Sequence, residues 1–221
     1  MKIESIVFDF DGTLAELHLD FADMKLRLSS LAEQYASPAP PPFLPVLEWL
    51  DWLEKRIRGT GVSCASDFRD RAMCLISDLE MESARKGSLF AFTRPLLGRM
   101  LQRGVKIAII TRNCDAAVRL VFPDILEFCS AFLARDHVPD PKPNPAHLFQ
   151  ALDCIHAIPK TSIMVGDHPL DIQTGRAAGT RTAGVLTGSA SREELLQSGA
   201  DWIAGNCEEL AALLADAGVL G

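Results

Sequence analysis

Five short apolar segments, each about as long as a β-strand, recur along this chain of 221 residues. They run as continuous apolar stretches, a pattern typical of strands that are covered on both faces. After residue 90 they alternate with helical patterns, and this alternation predicts an α/β fold built on a doubly wound parallel sheet. The segments are KIESIVF (2–8), VKIAII (105–110), SAFLA (130–134), TSIMV (161–165) and TRTAGVL (180–186).

Helical periodicity accompanies the later apolar segments, as a parallel sheet requires for its crossover connections. The predicted helices are about 94–103, 114–121, 145–154, 169–178, 191–198 and 207–215.

The stretch 16–88 holds no convincing strand and three helical patterns instead, about 20–35, 43–58 and 67–86. It therefore predicts a small all-helical cap domain, inserted into a core formed by residues 1–15 and 89–221. The run SPAPPP (37–42) cannot be helical and is interpreted as a stiff spacer. The predicted apolar stripes of the last two helices are Val46, Leu50, Leu53 and Ile57, and Phe68, Ala72, Leu75 and Leu79.

Acidic residues follow the first apolar segment directly. Asp9 and Asp11 stand one residue apart before Gly12, at the end of the strand pattern. Two carboxylates held so close repel each other unless a positive group lies between them. The pair therefore indicates a site for a divalent cation.

Polar residues also follow the later segments. Thr111, Arg112 and Asn113 come after 105–110, Asp167 and Asp171 after 161–165, and Lys142 lies between prolines in DPKPNP (140–145). Ligands of open parallel sheets bind at the carboxyl ends of the strands, so these groups are expected to converge there. Each motif alone also fits an ordinary turn or a solvated charge; their joint order favours a site.

The motifs DFDGT, Thr111, Lys142 and GDHPLD (166–171) resemble, in order, the four motifs of the haloacid dehalogenase superfamily of phosphatases. KPNPAHLFQAL, MVGDHPLDIQTGRAAG and VLTG are similar to its phosphoglycolate phosphatase-like branch. The resemblance covers nearly the whole chain and is weakest in 16–88. It implies a Rossmann-like core with a helical cap.

The same resemblance implies a Mg²⁺ cofactor. Asp9, Asp167 and the backbone carbonyl of Asp11 are its implied ligands, with Asp171 as a further ligand or as support for Lys142. Asp9 would attack phosphorus to form an aspartyl phosphate, and Asp11 would protonate the leaving alcohol and then deprotonate water.

Phosphate binding is implied for a second set of groups that surround the reacting atoms. They would hold the phosphate oxygens and stabilise charge in the transition state. These groups are the glycine turn at Gly12, Thr111, a backbone N–H of Arg112 or Asn113, and Lys142.

The expected function is thus a Mg²⁺-dependent phosphatase of a small phosphorylated metabolite, in the phosphoglycolate or sugar phosphate class. A phosphomutase of the β-phosphoglucomutase type and a non-catalytic phosphate-binding regulatory protein remain alternatives. A dehalogenase is disfavoured because Asp11 serves phosphoryl transfer.

Charge and hydropathy limit the partners and the location. A net charge of −7 argues against nucleic acid or an anionic membrane as the main partner. A strand pattern begins within a few residues of Met1, and no apolar run is long enough to span a membrane, so a cytoplasmic protein is expected. Arg56 or Arg58 of the cap is hypothesised to meet an anionic part of the substrate.

Overall fold

The computed structural model describes residues 2–35, 44–59 and 65–220. The chain divides into two compact units, Met1–Leu17 with Ala84–Gly221, and His18–Ser83. These boundaries lie close to those predicted for the core and the cap. The predicted spacer SPAPPP (37–42) lies outside the described residues.

Eight strands occur in the described part of the chain, and all belong to the first unit. They are β1 Ser5–Phe8, β2 Ala15–Glu16, β3 Ser88–Leu89, β4 Lys106–Ile110, β5 Ala131–Leu133, β6 Ser162–Gly166, β7 Arg181–Val185 and β8 Trp202–Ala204.

Nine α-helices occur in the same described ranges. Three belong to the second unit: α1 Phe21–Glu33, α2 Val46–Gly59 and α3 Ala65–Ala84. Six belong to the first: α4 Thr93–Gln102, α5 Asp115–Val121, α6 Pro145–Cys154, α7 Pro169–Ala178, α8 Arg192–Gln197 and α9 Cys207–Asp216.

Six strands form one parallel sheet in the order β5-β4-β1-β6-β7-β8. The central strand β1 pairs with β4 on one side, Ser5 opposite Lys106, and with β6 on the other, Ser5 opposite Ser162. The predicted α/β fold is confirmed. Strand β8 was not predicted, because three residues at a sheet edge, of which Trp202 and Ile203 are half-buried, give too short a pattern.

Helices cover both faces of this sheet. Along β1, Ile6 and Phe8 belong to a buried cluster with side chains of α4, α5 and α9, whereas Val7 belongs to a second cluster with α6 and the end of α7. Successive side chains of a strand point to opposite faces, so a strand buried on both must be apolar throughout. This explains the unbroken apolar segments in the sequence.

The second unit has a hydrophobic core of its own, made by α1, α2 and α3 around the fully buried Trp49. The predicted stripe of α2 is buried. In α3 the prediction needs one correction: Ile76 is buried, whereas Leu75 and Leu79 are only partly buried. The helix faces its neighbours through Phe68, Ala72 and Ile76, at the regular spacing of four residues.

A short antiparallel pair, β2 with β3, joins the two segments of the first unit; Ala15 pairs with Leu89 and Glu16 with Ser88. Among the described residues no helix is both long enough and apolar enough to cross a bilayer.

Candidate active site

Strand β1 ends in a turn that brings Asp9 and Asp11 to the carboxyl edge of the sheet. The Asp9 N–H still donates to the Val165 carbonyl of β6, at 2.8 Å, so this residue continues the ladder. The Phe10 side chain is fully buried in the core, and the backbone N–H of Phe10 donates to Asp9 Oδ1 at 2.7 Å. Asp11 Oδ1 accepts the Leu17 N–H at 3.1 Å. Backbone groups thus fix both carboxylates.

Lys142 lies between two buried carboxylates. Its Nζ is 2.7 Å from Asp9 Oδ1 and 2.6 Å from Asp171 Oδ1. Burial alone would lower the pKa of Lys142, but the charges and hydrogen bonds of Asp171 and Asp9 raise it above its usual value. The lysine is therefore a fixed positive charge in the site.

Asp9, Asp167 and Asp171 form one cluster, in which a carboxylate oxygen from each lies within 4.8 Å of the others. Burial, then repulsion by Asp171, raises the pKa of Asp9 to about 6, although Lys142 opposes the shift. Burial, then the charges of Asp9, Asp171 and Asp11, raises the pKa of Asp167 to about 8. Three oxygen donors that repel one another fit a hard divalent cation, which would relieve the repulsion.

Two glycines allow the backbone to approach Asp167 closely. A Cβ on Gly188, in the loop after β7, would lie 1.8 Å from Asp167 Oδ2. Gly12 has φ +73°, and a Cβ there would lie 2.6 Å from Asp167 Cγ. Thr13 Oγ1 and the Ser189 N–H donate to the same carboxylate, each at 3.3 Å. The loop that contains Gly188 and Ser189 was not predicted from the sequence to take part in the site.

Thr111 follows β4 and is fully buried, and its N–H donates to the Leu133 carbonyl of β5 at 3.1 Å. Two amides predicted to bind phosphate are paired within the chain: the Asn113 N–H donates to Thr111 Oγ1 at 3.2 Å, and the Gly12 N–H donates to the Ala15 carbonyl at 2.8 Å. The Arg112 carbonyl accepts a bond from Arg135. Among the described residues, Asn113 Nδ2 is a buried donor without a hydrogen-bond partner.

His147 is a buried residue that was not predicted from the sequence to belong to the site. Its Nδ1 is 3.2 Å from the Lys142 backbone nitrogen, and its Nε2 is 3.1 Å from the Leu133 carbonyl oxygen. Burial, then the charge of Lys142, lowers the pKa of His147 to about 4. The available signal was its position in the first turn of a predicted helix, five residues after Lys142.

Arg56 and Arg58 lie in α2 of the second unit. The Arg56 guanidinium lies over the Trp52 ring, 5.3 Å from its centroid, and Arg58 forms a salt bridge with Glu54. These two partners, Trp52 and Glu54, also belong to α2. Contact of either arginine with a substrate stays a prediction.

A family model described as haloacid dehalogenase-like hydrolase matches residues 3–179 of the chain. Pyrophosphatase PpaX of Anoxybacillus flavithermus is 32% identical over 115 residues, which cover 51% of this chain and 54% of that protein. The match therefore spans about half the length of this relative. A phosphoglycolate phosphatase of Neisseria meningitidis is 26% identical over 220 residues, which cover 94% of this chain and 92% of that protein.

Solved structures show the same fold. A hydrolase from Pseudomonas syringae superposes with a TM-score of 0.71 at 20% identity, covering 96% of this chain and 98% of that chain.

Proposed function

The chain belongs to the haloacid dehalogenase-like hydrolases, and on that premise we propose that it is a Mg²⁺-dependent phosphatase of a small phosphate monoester. The observation that carries the proposal is the buried cluster of Asp9, Asp167 and Asp171, two of which contact Lys142. The names of the phosphatase relatives support the phosphoryl chemistry. The cytoplasmic location predicted from the sequence is kept as part of the proposal.

We assign the metal to the Asp9 and Asp167 carboxylates and the Asp11 backbone carbonyl. When bound, Mg²⁺ supplies positive charge that lets a dianionic phosphate approach an anionic nucleophile. The mutual repulsion of the buried carboxylates supports this assignment.

Asp171 has a different place in the proposal. Its Oδ1 accepts from Lys142 Nζ, and its Oδ2 accepts the His168 N–H at 3.1 Å. Both oxygens are thus engaged within the protein. We therefore assign Asp171 to the orientation of Lys142, beside the metal ligands instead of among them.

Asp9 is the proposed nucleophile. One of its oxygens forms a bond to phosphorus while the bond from phosphorus to the leaving alcohol breaks in line. Asp11 gives a proton to the alcohol oxygen, and then takes a proton from the water that cleaves the aspartyl phosphate. Each carboxylate returns to its starting state at the end of the cycle.

Thr111 and Lys142 are the proposed ligands of the phosphate oxygens. Asn113 Nδ2, a buried donor with no partner in the described part of the chain, fits the same task, because such a donor costs about 1–3 kcal/mol until a ligand oxygen meets it. The roles of Gly12 and of the Arg112 and Asn113 amides remain predictions.

The second unit, His18–Ser83, is proposed to act as the cap that selects the substrate. Phosphoglycolate and sugar phosphates are the proposed substrate classes.

The test is phosphate release from phosphoglycolate, sugar phosphates, nucleotides and an aryl phosphate, with Mg²⁺ or with EDTA. We expect Mg²⁺-dependent release by the wild type and a loss of at least 10³-fold in Asp9→Asn, which keeps the shape of the side chain. Asp216→Asn, at the exposed end of α9, is the matched control and is expected to retain full activity.

Three outcomes would contradict the proposal. Phosphate release that persists in Asp9→Asn would show that Asp9 is not the nucleophile. A folded wild type that hydrolyses nothing would favour one of the alternatives, and conversion of a sugar phosphate to its isomer would identify a mutase.

A further inference from the structure

Lys142 is the backbone donor of a Pro-Lys-Pro segment. The Pro141 carbonyl accepts the Asn144 N–H at 3.2 Å. Pro141 and Pro143 have no amide hydrogen, so in these three residues the backbone donor is the Lys142 N–H. It donates to His147 Nδ1 at 3.2 Å, and not to a backbone carbonyl. The Lys142 amide is therefore held by an imidazole ring.

The two contacts of His147 require one particular form of that ring. A backbone N–H can only donate, so Nδ1 must be an unprotonated acceptor; a carbonyl can only accept, so Nε2 must carry the hydrogen. The neutral Nε2–H tautomer satisfies both contacts. A protonated ring would set one N–H against another in a fully buried place.

The His147 ring also contacts the strand end next to Thr111, a proposed phosphate ligand. The Leu133 carbonyl that accepts from His147 Nε2 also accepts the Thr111 N–H. Leu133 ends β5 and Thr111 follows β4, the neighbouring strand. His147 thus connects the loop that contains Lys142 with the ends of β4 and β5, next to Thr111.

We propose that His147 is a positioning residue, whose neutral Nε2–H tautomer holds the Lys142 backbone in register with Thr111, so that the ammonium group reaches Asp9. The proposal rests on the proposed phosphatase function for its kinetic consequence, and on geometry alone for its structural consequence. A displacement of about 1 Å at a group that stabilises the transition state costs on the order of 10²-fold in rate.

Two substitutions of His147 test the two contacts of the ring separately. Asn places its amide near the δ position of histidine, so His147→Asn keeps an acceptor for the Lys142 N–H. Gln reaches the ε position, so His147→Gln keeps a donor for Leu133 and loses that acceptor. Both leave a polar side chain at the site, which makes them matched controls for each other.

The first readout needs no activity: hydrogen exchange of the Lys142 amide, followed by NMR. We expect exchange in His147→Gln to be at least 10-fold faster than in the wild type, and in His147→Asn to stay within a few-fold. The imidazole ¹⁵N shifts of the wild type at pH 7 should report the Nε2–H tautomer. Equal exchange rates in all three proteins, or the other tautomer, would overturn the proposal.

The second readout is kinetic. For His147→Gln we expect kcat/KM to fall 10- to 100-fold, with recovery to within about 5-fold in His147→Asn and with Mg²⁺ affinity unchanged in both. Equal losses in the two variants, tracking their thermal stability, would show a merely structural role and overturn the proposal. A wild type without phosphatase activity would refute the proposed function, while the exchange experiment would still decide the placement of Lys142.

Discussion

Lys142 lies between Asp9 and Asp171, and all three side chains are buried. A buried ion pair adds little stability over an apolar pair, but removal of one partner leaves the other charged and unsolvated. The lysine thus has a structural role that does not depend on catalysis.

The first prediction concerns this charge. Without Mg²⁺, Lys142→Met should lower the free energy of unfolding by about 3–5 kcal/mol, because Asp9 and Asp171 lose their counter-ion. Urea denaturation in EDTA measures the change. Lys160→Met, at an exposed lysine, is the control and should change stability by less than about 0.5 kcal/mol. Equal effects of the two substitutions would contradict the assigned charge balance.

Asp167 gives the second prediction, because its charge is unfavourable when no cation is bound. Its pKa is about 8 in the folded protein against 3.8 for an ordinary aspartate, so the folded state binds this proton more tightly than the unfolded state. Its contribution to stability therefore falls as the pH rises from 3.8 to 8. Asn carries no charge at any of these pH values.

Without Mg²⁺, Asp167→Asn should accordingly be more stable than the wild type by about 1–3 kcal/mol at pH 8, and the difference should shrink towards pH 4. With Mg²⁺ the order should reverse, because the variant lacks a ligand. Urea denaturation across this pH range, in EDTA and in Mg²⁺, checks both statements. A difference that does not change with pH would show that the ionisation of Asp167 is not its cause.

Several site residues could be predicted from the sequence, because their place directly after a predicted strand fixes where they lie in the fold. Asp9, Thr111 and Asp167 each follow a strand of a parallel sheet, so they meet at one edge whatever the detailed packing. His147 and Gly188 were not predictable in this way. Gly188 meets Asp167 only through tertiary folding. His147 is five residues from Lys142, but its second partner, Leu133, is distant in sequence, and no local pattern reports that contact.

At the scale of elements, the predicted helices 145–154 and 169–178 coincide with α6 and α7. Each begins with a proline just inside the helix, after Asn144 or His168 as cap, and such starts are visible in sequence. The short strands β2, β3 and β8 have no comparable signal. They form because neighbouring backbone is already in place to pair with them.

The loop after β7 gives a prediction at this scale. Gly188→Ala forces a Cβ against the Asp167 carboxylate, so we expect Mg²⁺ affinity to fall at least 10-fold. Gly98→Ala, inside α4 with no heavy atom of the described residues within 4 Å of the new Cβ, is the control and should stabilise the protein by about 0.5–1 kcal/mol. Calorimetric titration with Mg²⁺ and thermal unfolding measure the two effects. Unchanged Mg²⁺ affinity in Gly188→Ala would show that the loop can move away freely.

At the scale of the whole molecule, the two units have separate hydrophobic cores, and the ends of the first unit's two segments are paired as β2 and β3. A division close to this one was predicted because the stretch 16–88 holds three helical patterns and no convincing strand. It could not predict the paired ends, because two-residue strands are too short to show a period.

The fourth prediction is that the core folds alone. Replacement of His18–Ser83 by a short Gly-Ser linker should leave a protein that unfolds cooperatively and is stabilised by Mg²⁺, because the cluster of Asp9, Asp167 and Asp171 lies wholly in the first unit. Circular dichroism with urea, with and without Mg²⁺, is the measurement. The same deletion carrying Asp167→Asn is the control and should show no response to Mg²⁺. A non-cooperative transition would mean that the core depends on the insertion.

The strand order has a consequence for synthesis on the ribosome. Strand β1 is made first, yet both of its neighbours, β4 and β6, are made after the helical unit. The centre of the sheet must therefore wait until residue 166 has left the exit tunnel, while the contacts of α1, α2 and α3 are local and can form early. Strand β1 thus emerges long before its partners, and Asp9 remains without its site until β6 and the residues after it have also emerged.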